Sequence, residues 1–147
     1  MDDDVEILSV RKLVALYGGI LWTPHWSSGG DVWRAGRVTL DMCREFLVDG
    51  RTARPSRALR DNFGTVEQHA MRIAWIAAHW DPAGHPIDVD FGVEPLSVYD
   101  SWRSVPIQDG HHRLAAAVVL RFPWIAARCS GLESTIRAFR YRGRRGP

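Results

Sequence analysis

The most regular pattern of hydrophobic and polar positions in the chain begins at Thr65. The segment Thr65-Val-Glu-Gln68 has the form of a capping box, in which the threonine and glutamine side chains satisfy backbone N–H groups at the start of a helix. Apolar residues then recur at helical spacing: Val66, Ala70, Ile73, Ala77 and Trp80. Asp81-Pro82 ends the pattern, because proline cannot continue a helix. The pattern predicts a helix from Val66 to about Trp80 that buries one stripe.

Strand patterns follow this helix. In residues 86–92, Ile87, Val89 and Phe91 alternate with Asp88 and Asp90, which is typical of a strand with one buried face. Apolar runs at 105–108 and 125–129 predict two further strands, and the alanine-rich segment between them predicts a helix. The order strand, strand, helix, strand predicts an α+β (mixed α/β) fold in which a small mixed sheet packs against helices.

The first half of the chain is less regular. The apolar residues of 7–17 fit neither the helical nor the strand period, so the type of this element stays open. Residues 22–36 contain prolines, serines, glycines and three tryptophans and predict a loop or a loose hairpin. A short helix is predicted at 40–48, closed by Gly50, and a loop at 51–64.

Composition limits the architecture. The chain has 147 residues, 46% of them hydrophobic, and seven tryptophans, which is enough for one buried core and too little for two ordinary domains. We therefore expect a single domain over residues 1–147. The start, MDDDVEIL, is acidic and no run of about eighteen apolar residues occurs, so we expect no secretory signal, no membrane span and a cytoplasmic protein. Cys43 and Cys129 have neither zinc-site nor disulfide spacing and are predicted to be buried apolar residues.

The basic residues are nearly all arginine. Of 19 lysines and arginines only Lys12 is a lysine, and the net charge of +2 is too small to indicate nucleic-acid binding by itself. Arginines cluster in the loop after Gly50 and in a basic tail at 137–147, where they alternate with Phe139 and Tyr141. Either cluster can be a solvated segment or can contact a nucleic-acid backbone. The candidate nucleic-acid contacts are Arg51, Arg54, Arg57, Arg140, Arg142, Arg144 and Arg145.

The segment PIQDGHHRLAAAVVL, residues 106–120, is the strongest candidate site. Asp109 is predicted to cap the following helix, and Gly110 permits a sharp turn and close approach of a ligand. His111 and His112 diverge by about 100° on a helix, so they are poorly placed to hold one metal ion together. Arg113 opposes the helix dipole unless an anion compensates its charge. The turn follows a strand, and the carboxyl ends of strands commonly hold ligands in α/β sheets.

These features predict a phosphate site formed by residues 109–113: Asp109, Gly110, His111, His112 and Arg113. The alternative is a purely architectural strand-to-helix turn, because Asp-Gly pairs serve as caps without any ligand.

DGHHRLAAA after a strand resembles the signature of the ParB/sulfiredoxin superfamily, specifically its ParB-like nuclease members. The resemblance extends through EQHAMRIAWIAAHW and PIDVDFG to WIAARCSG at 124–131, about half of the chain, and leaves the first sixty residues without a counterpart. It implies one ParB-like domain whose core, residues 65–131, contains a phosphate-binding turn, with residues 1–64 unassigned and a basic tail at 137–147.

Individual positions narrow what the resemblance implies. Sulfiredoxins have Gly-Cys-His-Arg at this turn, and His111 replaces that cysteine, so reduction of a sulfinate is not expected. Partition ParB proteins have Gly-Glu-Arg-Arg and bind a nucleoside triphosphate there; Gly110 and Arg113 match, whereas His111 and His112 depart. Free serine kinases carry Asp-Gly-His before an arginine, which implies that Asp109 and His111 contact phosphate or Mg²⁺, with Asp109 as the candidate metal ligand. The helix-turn-helix domain of a complete partition protein is not expected here.

The leading functional hypothesis is Mg²⁺-dependent hydrolysis of a nucleotide such as CTP, ATP or ADP, with DNA phosphodiester cleavage as a close variant. Glu67, His111 and His112 are the catalytic candidates for orienting the attacking group, and the sequence does not rank them. A small-molecule kinase of the free serine kinase type is one alternative. Another is a non-catalytic module of a phage or mobile element that binds DNA or a partner protein. Fold alone does not choose among them.

Overall fold

The computed structural model describes residues 5–15, 38–54, 65–81, 84–91 and 107–143, with only the backbone described at 107–109. Within these ranges the chain forms an α+β fold, as the sequence predicts. In chain order the elements are β1 (Val5–Ser9), α1 (Val10–Ala15), α2 (Leu40–Asp49), α3 (Val66–Ala78), β2 (Ile87–Asp90), β3 (Ile107–Asp109), α4 (His111–Val119), β4 (Trp124–Ser130) and α5 (Glu133–Phe139). The predicted loop or hairpin at 22–36 and residues 55–64 lie outside the described residues.

The four described strands form one mixed sheet with the order β1-β4-β2-β3. β4 pairs antiparallel with β1 and parallel with β2, and β3 pairs antiparallel with the other side of β2. Leu8 lies opposite Ile125 and Ile87 lies opposite Ala127 in the register. All four of these side chains are buried, which places the core on one face of the sheet.

The two best-defined helix predictions are confirmed at their ends. Thr65 accepts from the Gln68 N–H while the Gln68 side chain accepts from the Thr65 N–H, so the predicted capping box is present. At α2, the Thr39 hydroxyl accepts from the Met42 N–H, and Gly50 closes the helix in a left-handed conformation with φ 71°. Both helices are therefore delimited by local side-chain chemistry.

The ambiguous N-terminal segment contains two elements. β1 ends at Ser9 and α1 begins at the next residue, and the Ser9 hydroxyl accepts from the Lys12 N–H at 3.2 Å. Leu8 on the strand and Leu13 on the helix are both fully buried. A segment with the strand period is followed directly by a segment with the helical period. The whole stretch therefore fits neither period.

Small residues bring α3 and α4 together. α3 contacts both α2 and α4, and Ala74 on α3 and three successive alanines on α4, Ala115 to Ala117, have no exposed surface. Alanine lets helix backbones approach closely and lowers the side-chain entropy lost on packing. The larger buried residues fill the space between these helices and the sheet: Leu8, Leu13, Ile73, Ile87, Leu114 and Ile125.

The C-terminal segment differs from the prediction of a basic tail beginning at Arg137. Residues 133–139 form α5, and the chain then runs beside β1, where the Tyr141 N–H donates to the Ile7 carbonyl at 2.9 Å. Arg140 donates to both carboxylate oxygens of Glu6 at 2.9 and 3.0 Å and to Glu133 at 3.2 Å. The segment through Gly143 is thus attached to the sheet edge. Residues 144–147 lie outside the described part of the chain.

Among the described residues, the helices are too short and too polar for any of them to cross a lipid bilayer.

Replacing Gly110 tests the close packing of the turn on β2. Gly110 has φ 111°, and a Cβ there would lie 2.6 Å from Ile87 Cβ, whereas a Cβ at Gly50 would meet nothing within 4 Å. Gly50→Ala should therefore show only backbone strain, about 1 kcal/mol, and Gly110→Ala should lose about 2–4 kcal/mol because a steric overlap is added. Urea unfolding measures both. Equal losses would contradict the packing of Gly110 on Ile87.

Candidate functional site

The candidate turn connects β3 to α4 through Gly110. Gly110 is the N-cap of α4, with φ 111° and ψ 20°, and its α-carbon is packed against the Ile87 side chain. The prediction that Asp109 caps the helix is wrong, because Asp109 is the last residue of β3. The reason is conformational: the cap position is left-handed and has no room for a Cβ, so only glycine fits there.

The position of the turn in the sheet also differs from the expectation. The turn does follow the carboxyl end of β3. However, β3 is antiparallel to β2, so Gly110 lies beside Ile87, at the amino end of β2. The carboxyl ends of the parallel strands β2 and β4 lie at the opposite end of these strands from the turn. The turn therefore does not occupy the usual ligand position of an α/β sheet.

The two histidine side chains in the first turn of α4 point in different directions. His111 and Arg113 are partly exposed, whereas His112 between them is 7% exposed. This divergence agrees with the helical geometry predicted from the sequence. Arg113 is the third residue of α4 and therefore lies near the positive end of the helix dipole.

His112 contacts a residue that the sequence does not single out. His112 Nε2 and His69 Nδ1 are 2.7 Å apart, a hydrogen-bond distance, and His69 is fully buried. The ring centroids are 5.0 Å apart and the planes differ by 11°. That centroid separation is close to the N···N distance plus the two ring radii, so the rings meet edge to edge in nearly one plane. One nitrogen donates and the other accepts.

The sequence does not indicate His69 as a functional residue, and the reason is physical. Its neighbour Ala70 belongs to the buried stripe of α3, which indicates core packing, and its partner is 43 residues away in the chain. Helical spacing places His69 close to that stripe, but no local pattern predicts which residue it meets.

Glu67 makes an ion pair with Arg51 on the surface. Both side chains are about half exposed, and the Arg51 guanidinium also lies 4.5 Å from the centre of the Phe46 ring. These contacts hold the segment after α2 against the start of α3. Glu67 is thus two residues from His69 on α3, with its carboxylate turned to Arg51.

The other predicted nucleic-acid contacts are scattered. Arg54 is exposed on the segment after α2, and Arg140 is engaged with Glu6 and Glu133, where its hydrogen bond with Glu6 raises the pKa of Arg140 above its ordinary value. Arg142 reaches the Arg137 carbonyl at 3.5 Å. Arg57, Arg144 and Arg145 lie outside the described residues. Glu67, the partner of Arg51, lies on α3, and Glu6, the partner of Arg140, lies on β1.

Two aspartates adjoin the turn in the backbone register. Asp109 lies opposite Asp88, where β3 meets β2. Within the described residues, no group of three or more His, Cys, Asp or Glu side chains is arranged to hold a metal ion. A groove of about 180 Å³ along β2 and β4 is lined by Asp88, Val89, Arg128, Cys129 and Ser130, without a described residue of the turn.

Neither cysteine has the properties of a nucleophile. Burial raises the pKa of Cys43 to about 12, and burial together with the nearby Glu6 carboxylate raises the pKa of Cys129 to about 12. Cys43 is buried, as predicted, and Cys129 is partly buried. Thiol chemistry at neutral pH is disfavoured at both positions.

The chain matches no protein-family model, no curated protein and no solved structure.

The thiol environments predict slow labelling of the folded protein. Because an ordinary thiol has a pKa of about 8.5, both cysteines should react with a thiol reagent at pH 8 at least about 100-fold more slowly than free cysteine. Unfolding in guanidinium should restore the ordinary rate. The variant Cys43→Ser isolates Cys129, and rapid labelling of that folded variant would contradict the raised pKa of Cys129.

Proposed function

We propose that this protein binds the phosphate groups of a nucleotide at the Gly110 turn and hydrolyses the nucleotide with Mg²⁺. The observation that carries the proposal is the start of α4, where a left-handed glycine cap is followed in the first turn by two partly exposed basic residues, His111 and Arg113. Backbone N–H groups, a helix dipole and an arginine near one point favour a bound anion.

The caps of the other long helices support this proposal by contrast. At α2 and α3 the hydroxyls of Thr39 and Thr65 accept from first-turn N–H groups. At α4 the cap residue is glycine and offers no side chain to the helix. Glycine caps at the start of a helix leave space for an anion near the backbone.

The structure favours different roles for the three catalytic candidates. His112 is buried against His69, so in this proposal it positions the first turn. Glu67 is paired with Arg51. His111 is partly exposed at the first position of α4, which makes it the best candidate for orienting the group that attacks the phosphate. Arg113 would stabilise the charge on the phosphate oxygens.

Mg²⁺ fits the residues beside the turn. Mg²⁺ prefers oxygen ligands and is commonly held by one or two carboxylates together with substrate phosphate and water, so a preformed cage of three side chains is not required. Asp109, the residue directly before Gly110, is the residue that would hold it. When bound, the ion would neutralise phosphate charge.

A free nucleotide fits better than DNA as the ligand. Two of the arginines predicted to contact DNA, Arg51 and Arg140, are engaged with carboxylates of the same chain. Membership of the ParB/sulfiredoxin superfamily is part of the same proposal and depends on the DGHHRLAAA segment and the strand–turn–helix that contains it. Transfer to a small acceptor, cleavage of DNA, and binding without catalysis all use the same phosphate contact, so the experiment has to separate them.

Arg113→Ala should weaken nucleotide binding while Arg121→Ala should not. Loss of a charge-assisted contact of about 1.5–3 kcal/mol weakens binding by about 10- to 150-fold. Arg121 is an exposed arginine just beyond the other end of α4 and is a matched control. Thermal shift with CTP, ATP and ADP, each with and without Mg²⁺, measures the change, since ligand at 100 times Kd adds about 2.7 kcal/mol to stability.

Phosphate release and plasmid nicking complete this test. Hydrolysis should require a divalent ion and should disappear in Arg113→Ala, and supercoiled plasmid should stay intact. If no nucleotide raises the melting temperature of the wild-type protein, the proposal is wrong and a binding module without a nucleotide ligand is the better account. Equal weakening by Arg113→Ala and Arg121→Ala would show a non-specific charge effect.

A further inference from the structure

The buried histidine pair has a property that the proposed hydrolysis does not use. His69 is the fourth residue of α3 and His112 is the second residue of α4, so their hydrogen bond joins the first turns of two helices. Apolar residues pack near the pair: Ala70, one residue after His69, and Ala115, three residues after His112, are both fully buried. The imidazoles therefore form a polar contact within the core.

The number of protons decides whether this contact can exist. In a neutral pair, one ring donates through its N–H and the other accepts through its lone pair. One added proton leaves this bond intact, because one of the two facing nitrogens still has a lone pair. A second added proton places N–H groups on both facing nitrogens, 2.7 Å apart, and the hydrogen bond is lost.

The charge environment opposes that second proton. Both rings lie in the first turn of a helix, where the dipole disfavours positive charge, and both are nearly inaccessible to water. Arg72 lies one turn after His69 and is partly buried, and Arg113 follows His112 directly. Two buried imidazolium ions in this setting would repel each other and the neighbouring cations.

Among the described residues of the packed elements, the other charged groups are exposed, paired elsewhere or on the other face of the sheet, and Asp41, Glu45 and Asp49 on α2 are exposed. Glu67 on α3 is paired with Arg51, and Arg44 on α2 donates to the Val119 carbonyl at the far end of α4. Asp88 and Asp90 on β2 alternate with the buried Ile87 and Val89, so they lie on the other face of the sheet. His111 at the start of α4 adds a third imidazole. Asp109, at the end of β3, has the opposite charge.

We propose that His69 and His112 form a pH-sensitive contact that fixes the first turn of α4 on α3 and breaks when both imidazoles are protonated. In the unfolded chain each histidine takes up a proton below about pH 6.5, so the unfolded state binds two protons where the folded pair binds at most one. The unfolded state then binds more protons, and the contribution of the pair to stability is present above about pH 6.5 and lost as the pH falls.

The test compares the wild-type protein with the double variant His69→Asn/His112→Gln. The asparagine and glutamine amides occupy the positions of Nδ1 and Nε2, can hydrogen-bond to each other and do not titrate. Between pH 6 and pH 5, the equilibrium constant for unfolding of the wild type should rise by at least about sixfold more than that of the double variant. Urea unfolding followed by tryptophan fluorescence gives both constants. Equal pH dependence of the two proteins would overturn the proposal.

Two single variants serve as controls. His85 is exposed, so His85→Gln removes a histidine and should keep the wild-type pH dependence. Asp109→Asn removes the negative charge three residues before His112. Its equilibrium constant for unfolding should still depend on pH more steeply than that of the double variant, and this difference is the excess pH dependence. If the excess disappears in either control, the pH dependence does not originate in the pair, and the proposal is wrong.

A measurement on the wild-type protein avoids dependence on the folding of the double variant. At pH 7.5, ¹⁵N NMR of the imidazoles should show a scalar coupling across the hydrogen bond between His69 Nδ1 and His112 Nε2. The two rings should titrate as a coupled pair, with the second proton entering only as the protein unfolds. Independent titration of both rings near pH 6.5 without unfolding would overturn the proposal.

One consequence rests on the proposed function. If phosphate binds the Gly110 turn, its affinity should fall between pH 7 and pH 5.5 by a larger factor in the wild type than in the double variant. The stability measurements contain no ligand, so the two proposals fail separately. A protein that binds no phosphate at any pH but shows the excess pH dependence retains the histidine contact and loses the proposed function.

Discussion

The Ile87 side chain occupies the space where a Cβ on residue 110 would lie, and this constraint determines where α4 begins. The backbone of Gly110 packs directly on β2, and the helix leaves the turn in a fixed direction. His112 then points into the core, where it meets His69, while His111 and Arg113 remain partly exposed. The candidate anion site is therefore a consequence of how one helix packs on the sheet and on its neighbour.

Local chemistry accounts for the parts of the fold that the sequence predicts well. The capping box at Thr65 and the left-handed Gly50 involve residues within four positions of each other, so their partners are visible in the sequence. The alternation in β2 is equally local, because each residue's burial follows from the pleat of its own strand. The local sequence also indicates which polar residues belong to the turn, although Gly110 and not Asp109 is the cap.

Long-range pairing accounts for what the sequence does not predict. The antiparallel direction of β3, which moves the turn to the amino end of β2, depends on a pairing between strands that are separated by residues 91–106. The contact of His69 with His112 and the attachment of Arg140 to Glu6 join positions 43 and 134 residues apart. A single sequence carries the properties of each residue, but the partners are fixed by packing of the whole domain.

Titration of the ¹⁵N-labelled protein with inorganic phosphate at pH 7.5 tests the central claim most directly, because backbone amide resonances report where an anion binds. The account predicts that the largest chemical-shift changes occur at the amides of Gly110, His111, His112 and Arg113 and follow one saturable binding curve. Changes confined to other arginine-containing segments, such as those at Arg51 and Arg54, or no saturable change at the turn, would contradict it.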